Sequence, residues 1–422
     1  MPTPSPPSPT PPVPTEPVPT SPAPTDSLRW ATARVGMVGA GQLARMTQRA
    51  AIDLGVQLEV LALHPDEPAP LAGSGAVIGA PDDPAALRAL AERVEVVTLD
   101  HELVPGEGLQ ALQAAGHPVY PSPSALRFAQ DKLHARRELA RLGFPVPAFT
   151  AVGDADEVAA FAAEHGWPVV AKARAGGYDG RGVEVVSDVA AAEAVLARGG
   201  QWLVEALVPI ATEVAVVTAR RPSGGHVTYP VVETVQSEGI CVELIMPARL
   251  PDSLAREAID LADRIAATIG AVGIVAVELF VTTDGHLVVN ELALRPHNSG
   301  HATIEGSATS QFANHLRAVL DWPLGSTAMR APVAVTVNLL GGPTPTDLAV
   351  RLPWALGIDD VHVHLYGKSS RPGRKLGHVT VLGDEVEVAQ AAAWAAADRL
   401  VGAQEPLSGS EARTGDEHIG EG

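Results

Sequence analysis

The stretch AVELFVTTDGHLVVNE, residues 276–291, restricts the fold more than any other. It reads as an antiparallel hairpin, with AVELFV and HLVVNE as the strands about the turn TTDG. With 282–285 as the loop, Val281 opposes His286 and Glu278 opposes Val289. Opposed residues share a face, so Glu278 and Glu291 lie diagonally on one face, roughly 7–8 Å apart by Cα. Two carboxylates that close repel unless a cation sits between them, and oxygen-only ligands suit magnesium or manganese. Asn290 adds a carbonyl oxygen only if the backbone twists at the strand end. A one-residue slip in register would send the two glutamates to opposite faces. The strand then enters LALRPHNSGH, where Arg295, His297, Asn298 and His301 crowd together. A zinc site is one reading, since His297 and His301 are four apart. A phosphate site beside a magnesium ligand is another, and a solvated polar loop is the third. Neither histidine has a third soft ligand nearby in sequence, and the neighbouring acids offer hard oxygen, which weighs against zinc.

The chain around this hairpin has 422 residues, enough for two or three domains. Its net charge of -19 argues against a general nucleic-acid or anionic-membrane binder. No apolar run is long enough for a transmembrane helix. The one cysteine, Cys241, excludes an internal disulfide framework, and its apolar surroundings predict a buried, inert thiol. The first 29 residues are rich in Pro, Ser and Thr, with neither a basic nor an apolar segment of a secretory signal. They are expected to form a disordered tail, as are 403–422. The expected compartment is the cytoplasm.

Three parts lie between the tails: 30–123, 124–325 and 326–402. The first opens with ARVGMVGAGQLARMTQRAAIDLG, a strand, a glycine turn and a helix in a βαβ unit. The turn Gly39-x-Gly41-x-x-Ala44 outlines a dinucleotide fingerprint, but no acidic residue closes the second strand. A phosphate-binding turn at the helix N-terminus is the expectation. Further on, a strand delivers Asp100, His101 and Glu102 at its C-terminal end, where ligands of open α/β sheets bind; a solvated loop is the alternative.

The second part starts with one predicted helix over 124–143, in which Leu126, Leu133, Leu139 and Leu142 fall near one face. Next comes WPVVAKARAGGYDGRGVEVV, a strand, a glycine loop and a strand, with Lys172 before the loop and Arg181 within it. Glycines let backbone N–H groups approach phosphate oxygens closely. Lysine occurs four times among 30 basic residues, at Lys132, Lys172, Lys368 and Lys375, so a specific use for each is plausible. QWLVEALVPIATEVAVV reads as two strands about Pro209. The helix after it has Asp252 as N-cap and Gly270 at its stop. In the third part, the strands VHVHLY and GHVTV flank a basic loop with Lys368, Arg371, Arg374 and Lys375, a density that points to an anion.

Lysine on a strand, a glycine loop, a Glu…Asn-Glu hairpin and a preceding βαβ domain resemble the ATP-grasp superfamily. Within it, GGYDGRGV, VNELALRPHNSGHATI, TSQFANHLRAVLDWPLG and YGKSSRPGRKLGHV look like the N5-carboxyaminoimidazole ribonucleotide synthases of purine biosynthesis. The resemblance covers roughly 33–400. It implies an α/β chain: an ATP-grasp fold with an N-terminal Rossmann-like domain and a small, mostly-β C-terminal domain. It implies a cytoplasmic ligase, commonly a homodimer, that uses ATP and magnesium (or manganese) to carboxylate 5-aminoimidazole ribonucleotide with bicarbonate through carboxyphosphate. Free CO2 on the way to the amine is left open.

The same resemblance assigns residues. Lys132 and Lys172 would meet the ATP phosphates, under a loop of Gly177, Tyr178, Asp179, Gly180, Arg181, Gly182 and Val183. Glu205, Ala206, Leu207 and Val208 would line the adenine, and Glu213 would meet the ribose. Glu278 and Glu291 would bind the metal, with Asn290 beside them. Arg295, His297 and Asn298 would meet carboxyphosphate. Glu102, Tyr178 and Arg181 would face the aminoimidazole nucleotide, with Gln42 nearby, and Lys368, Arg374 and Lys375 would hold its phosphate. The chain departs from many members at Leu294 and Ala302, both expected to be packing positions, at Asp100, and at Gln236, which stands for a histidine near ATP. Two rivals are an ATP-grasp ligase for another acid and amine, and a nicotinamide dehydrogenase. The first would lack the RPHNSGH and RPGRKLGH loops; the second would leave both loops without a role.

Overall fold

A computed structural model of the chain describes residues 33–176 and 182–402. Both predicted tails and loop residues 177–181 lie outside the described residues.

The glycine turn predicted at 39–44 forms, but its anion is the protein's own. Strand β1 (Arg34–Val38) leads through Gly39 and Gly41 into helix α1 (Gln42–Leu54), followed by β2 (Gln57–Ala62), β3 (Gly75–Ile78), α2 (Pro84–Ala91), β4 (Val96–Leu99) and α3 (Gly106–Ala114). The strands form a parallel sheet in the order β3-β2-β1-β4. At the end of β4, the Asp100 carboxylate accepts the backbone N–H groups of Gly41 at 2.7 Å and Ala44 at 2.8 Å. A Cβ on Gly39 would come within 2.8 Å of Asp100 Cβ, and one on Gly41 within 2.7 Å of Asp100 Oδ2. The glycines therefore make room for a carboxylate, which corrects the expectation of a phosphate at this helix end.

The helix predicted over 124–143 is two helices, α4 (Pro123–Gln130) and α5 (Lys132–Arg141). Asp131 separates them with extended backbone, φ -125° and ψ 99°, and caps the second by accepting from His134 N–H. Its carboxylate also takes both Nε and Nη2 of Arg174, at 2.9 and 2.7 Å. A cap plus a bidentate partner outweighs two more helical hydrogen bonds.

Two sheets follow. The smaller contains β5 (Phe149–Val152), β6 (Val169–Ala173), β7 (Val183–Val186) and β8 (Trp202–Ala206), in the order β5-β8-β6-β7, backed by α6 (Ala155–His165) and α7 (Val189–Leu196). The larger contains β9 (Ile210–Arg220), β10 (His226–Thr228), β11 (Val232–Ser237), β12 (Ile240–Met246), β13 (Gly273–Thr282) and β14 (Leu287–Ala293). The strands on either side of Pro209 thus belong to different sheets. Cys241, on β12, is half-buried, and its Sγ lies 3.6 Å from the Glu243 carbonyl.

Helix α8 (Asp252–Thr268) covers one face of the larger sheet. Pro251 takes its N-cap position and Asp252 is the first helical residue, one step later than expected. Ala258, Leu261, Ala262, Ile265 and Ala266 recur at helical spacing and pack on Val214, Val216, Val277, Leu279 and Val289. The opposite face, freed of apolar demand, carries the polar groups described below.

After α9 (Thr303–Gly306) and α10 (Gln311–Val319), the large sheet is extended by β15 (Val333–Leu340), β16 (Val361–Leu365) and β17 (Lys375–Gly383). The full order is β14-β13-β9-β11-β12-β15-β17-β16, with β10 on β9. Helices α11 (Leu348–Ala355) and α12 (Val386–Val401) pack beside this extension. The apolar cluster around α1 includes Phe312 and Leu316 of α10 and Tyr366 beyond β16. That packing brings the first glycine turn to the basic loop between β16 and β17. Among the described residues, no helix is long and apolar enough to cross a membrane.

Ile265 is fully buried and far in sequence from the polar face. Ile265→Ala should lower the unfolding free energy by about 2–5 kcal/mol, measured by chemical denaturation. A loss under about 0.5 kcal/mol, the range of surface substitutions, would show that α8 does not anchor the sheet.

Candidate active site

Glu278 and Glu291 meet through a register other than the one expected. Val281 opposes Leu287, Phe280 opposes Val288 and Leu279 opposes Val289, one residue off the predicted pairing. Gly285 has φ 83°, in a three-residue loop of the kind that ends in a left-handed residue. Uncorrected, this slip would separate the glutamates. The ladder shifts between Glu278 and Leu279, however, so that Glu278 opposes Glu291 and Asn290 is the extra residue of a β-bulge. Glu278 and Glu291 therefore face each other directly. Glu213 and Phe280 share their face, since Phe280 opposes Glu213 on β9.

Such a group of acids distorts its own titration. Burial, reinforced by Glu291 and then Glu213, pushes Glu278 up to about 8. Burial likewise raises Glu213, with Glu291 adding to it. Among the described residues no set of three or more His, Cys, Asp or Glu side chains is arranged to hold a metal unaided. Magnesium sites built around phosphates use one or two carboxylates and take the remaining oxygens from the substrate. The facing pair fits that kind of site.

The bulge is gripped from the smaller sheet. Arg136 on α5, which the sequence reading passed over, donates from Nη2 to the Asn290 carbonyl at 2.6 Å and from Nε to Glu205 at 2.7 Å. Lys172 on β6 meets the other Glu205 oxygen at 2.9 Å and the Asn290 side-chain carbonyl at 3.2 Å. The Asn290 amide donates to Glu278 at 3.3 Å. Burial lowers the Lys172 pKa, with Glu205 opposing the shift. Burial would raise Glu205, but Arg136 and Lys172 hold it below its usual range. The Glu205 carboxylate thus belongs to the lysine anchor, while its backbone continues into Ala206, Leu207 and Val208. Lys132 extends the cationic row: its N–H donates to the Arg174 carbonyl at the end of β6, and its Nζ lies 3.3 Å from Glu291.

Beyond the anchor, Ala206, Leu207 and Val208 border a cavity of about 330 Å³ also lined by Pro147, Ala148 and Val288. Val183 opens β7, and Gly182 precedes it with φ 74°. Gly177, Tyr178, Asp179, Gly180 and Arg181 lie outside the described residues. Gln236, on β11, sits half-buried opposite a bulge whose extra residue is Val242 of β12.

The loop after β14 forms the other half. Arg295 donates from Nε to Glu102 at 2.5 Å, and Leu294 N–H donates to the same carboxylate at 3.2 Å. Glu102, expected to face a nucleotide, is thus the residue that aims Arg295. His297 Nδ1 accepts from Ser299 N–H at 3.3 Å, which assigns its proton to Nε2. Nε2 lies 3.4 Å from Glu278. Burial, then Arg295 and Lys375, hold the His297 pKa well below the usual value, so the ring is neutral beside that acid. His301 points elsewhere, its Nδ1 3.4 Å from Gln311. The two histidines share no ligand geometry, and zinc finds no support. Asn298 has a buried Oδ1 without a partner among the described residues. Lys368 donates to Gln42, and Arg374 donates to Ser369 Oγ at 2.9 Å. Leu294 and Ala302 are buried, as packing positions should be.

In the absence of divalent cations, protonated Glu278 favours the folded state below the unfolded carboxyl pKa of about 4.3. That stability is lost as pH rises towards 8, the raised folded value. Wild type should therefore lose stability relative to Glu278→Gln between about pH 5 and 8, read from denaturation midpoints in chelator. Parallel profiles would contradict this.

Known proteins resemble this chain in sequence and fold. A family model of the ATP-grasp domain matches residues 137–312. That of the ribonucleotide synthetase preATP-grasp domain matches 32–130, and that of the phosphoribosylaminoimidazole carboxylase C-terminal domain matches 334–392. The N5-carboxyaminoimidazole ribonucleotide synthase of Mycobacterium tuberculosis (strain ATCC 25618 / H37Rv) is 51% identical over 360 residues, 83% of this chain and 84% of that one. The solved N5-carboxyaminoimidazole ribonucleotide synthetase of Thermus thermophilus superposes with a TM-score of 0.80 at 36% identity, covering 89% of this chain and 100% of that one. The Aspergillus clavatus N5-carboxyaminoimidazole synthase, solved with ADP and 5-aminoimidazole ribonucleotide, gives a TM-score of 0.82 at 32% identity, with coverage of 88% and 99%.

Proposed function

The chain belongs to the N5-carboxyaminoimidazole ribonucleotide synthases, and we propose that its two half-sites carry out one coupled reaction across the segment 290–301. It is an ATP-dependent ligase that carboxylates 5-aminoimidazole ribonucleotide in purine biosynthesis. The carboxyl donor is bicarbonate. Its oxygen attacks the γ-phosphorus of ATP and ADP leaves, giving carboxyphosphate. The exocyclic amine of the ribonucleotide then bonds to the carboxyl carbon as inorganic phosphate departs, and the amine gives up one proton.

Each residue serves one stage. Lys132 and Lys172 neutralise phosphate oxygens, and the stretch from Glu205 to Val208 borders the adenine. Glu213 receives ribose hydroxyls, and Gln236 stands near the nucleotide. Glu278 and Glu291, with Asn290 beside them, hold magnesium, whose charge offsets that of the phosphates. Gly182 and Val183 serve the phosphates, and the roles expected of Gly177, Tyr178, Asp179, Gly180 and Arg181 fall on residues outside those described. Arg295, His297 and Asn298 surround carboxyphosphate. Because His297 is neutral with its proton on Nε2, it serves as a hydrogen-bond donor rather than a counter-ion. Gln42, Lys368, Arg374 and Lys375 take the ribonucleotide, and Glu102 reaches it while aiming Arg295. The proposal extends to a homodimer in the cytoplasm.

The observation that supports this reading is the juxtaposition of Glu278 and His297, 3.4 Å apart, since it would let one site serve both phosphate transfer and carboxyl transfer. ADP release should require ATP, magnesium, bicarbonate and 5-aminoimidazole ribonucleotide together. Equal release with an unrelated amine would sink the substrate assignment. Glu291→Gln should fold normally by circular dichroism and lose turnover by at least about a hundredfold, the scale of one lost electrostatic group. Turnover like wild type would remove Glu291 from the metal site.

A further inference from the structure

Three imidazoles are stacked beside the two substrate loops, and none has a part in the reaction described. His301 lies on His378 with ring centroids 4.8 Å apart and planes inclined by 26°. His378 lies on His364 at 4.6 Å and 25°. His301 and His378 are fully buried, and burial holds both well below the ordinary histidine pKa, so both rings are neutral.

Each ring belongs to a different segment of the site. His301 closes the loop that begins at His297, and both ends of that loop meet Gln311. The Gln311 side chain accepts from His297 N–H at 2.9 Å and donates to the His297 carbonyl at 2.6 Å. His378 lies on β17 shortly after Arg374 and Lys375, directly across from His364 on β16. Its Nδ1 is 2.7 Å from the hydroxyl of buried Tyr366. The Tyr366 ring in turn sits 5.6 Å from the ammonium of Lys368. On the outer side, His364 Nε2 is 2.9 Å from Glu305, and Arg49 of α1 reaches the same carboxylate at 3.6 Å. One continuous packing column therefore links the loop of His297, the strands on either side of the basic loop with Lys368, and the helix that starts at Gln42.

Stability does not account for these residue types. Nε2 of His301 and Nε2 of His378 are both buried without a hydrogen-bond partner among the described residues. Such atoms are destabilising, and apolar rings of similar shape would fill the space better. What a stack of flat, hydrogen-bonded rings supplies is a defined separation between the elements that carry it.

We propose that His301, His378 and His364, together with Tyr366, are positioning residues that set the nucleotide-phosphate loop in register with the carboxyl-handling loop. This inference rests on the functional reading above. Its test is the double variant His378→Phe/Tyr366→Phe, which removes both partners of the buried hydrogen bond and keeps both rings. The KM for 5-aminoimidazole ribonucleotide should rise by about tenfold or more, as expected for misplaced binding groups. The KM for ATP should stay within about twofold and the melting temperature should not fall. An unchanged ribonucleotide KM overturns the proposal. So does a lowered melting temperature with equal losses for both substrates, which marks a structural role alone. If the double variant does not fold, His364→Phe at the edge of the stack decides by the same KM split. Wild-type ADP release indifferent to the ribonucleotide would overturn the functional reading and this inference with it; a dependent wild type with an unaltered variant overturns the inference alone.

Discussion

One extra residue in a β-ladder governs the candidate site. Asn290 is accommodated as a bulge, and only that bulge returns Glu291 to the face of Glu278. A bulge left to itself is a local weakness, with one residue outside the ladder. Here Arg136 holds its backbone carbonyl and Lys172 its side chain, while Glu205 bridges the two cations. Such a buried cluster is seldom the most stabilising choice, since well-packed apolar residues often do as well. Its value is geometric. It ties the smaller sheet, through β6 and β8, to the edge of the larger one at the residue where register matters.

The same economy recurs across the molecule. At the first glycine turn, Asp100 occupies the N-terminus of α1, a position that could otherwise take a phosphate. Glu102, two residues on, fixes Arg295 across the interface to the loop after β14. Two residues of one strand end thus brace a helix and aim a side chain. Charges preorganised in this way need little rearrangement as a reaction proceeds, which is where electrostatic catalysis gains most. The large sheet supports both tasks, because α8 takes the apolar demand on one face and leaves the other for Glu213, Glu278 and Glu291.

Much of this was legible in the residues. The runs AVELFV and HLVVNE about TTDG identified the hairpin, but the shared face of the two glutamates came out right only because the bulge cancels a one-residue error in the expected register. The rarity of lysine pointed to Lys132 and Lys172, which lie in the row beside Glu291 and Glu205. The bulge was not legible, because it depends on Arg136 and Lys172, distant in sequence, holding Asn290. Nor was the break at Asp131, whose competing partner is Arg174, on the far side of a strand. Local pattern describes local preference; these two features are set by long-range hydrogen bonds to charged groups. Arg136 itself carried one usable signal, a buried charge on the apolar side of α5, but periodicity alone gives a charge there no partner. Nor was the side-chain role of Glu205 legible, since its two cationic partners, Arg136 and Lys172, are distant in sequence.

The most direct measurement of the central claim is a crystal structure with ADP and manganese, using the metal's anomalous scattering to locate it. Coordination by both Glu278 and Glu291, with Asn290 still outside the ladder, is the predicted result. Manganese bound by His297 and His301, or by one glutamate with the bulge straightened, would contradict it.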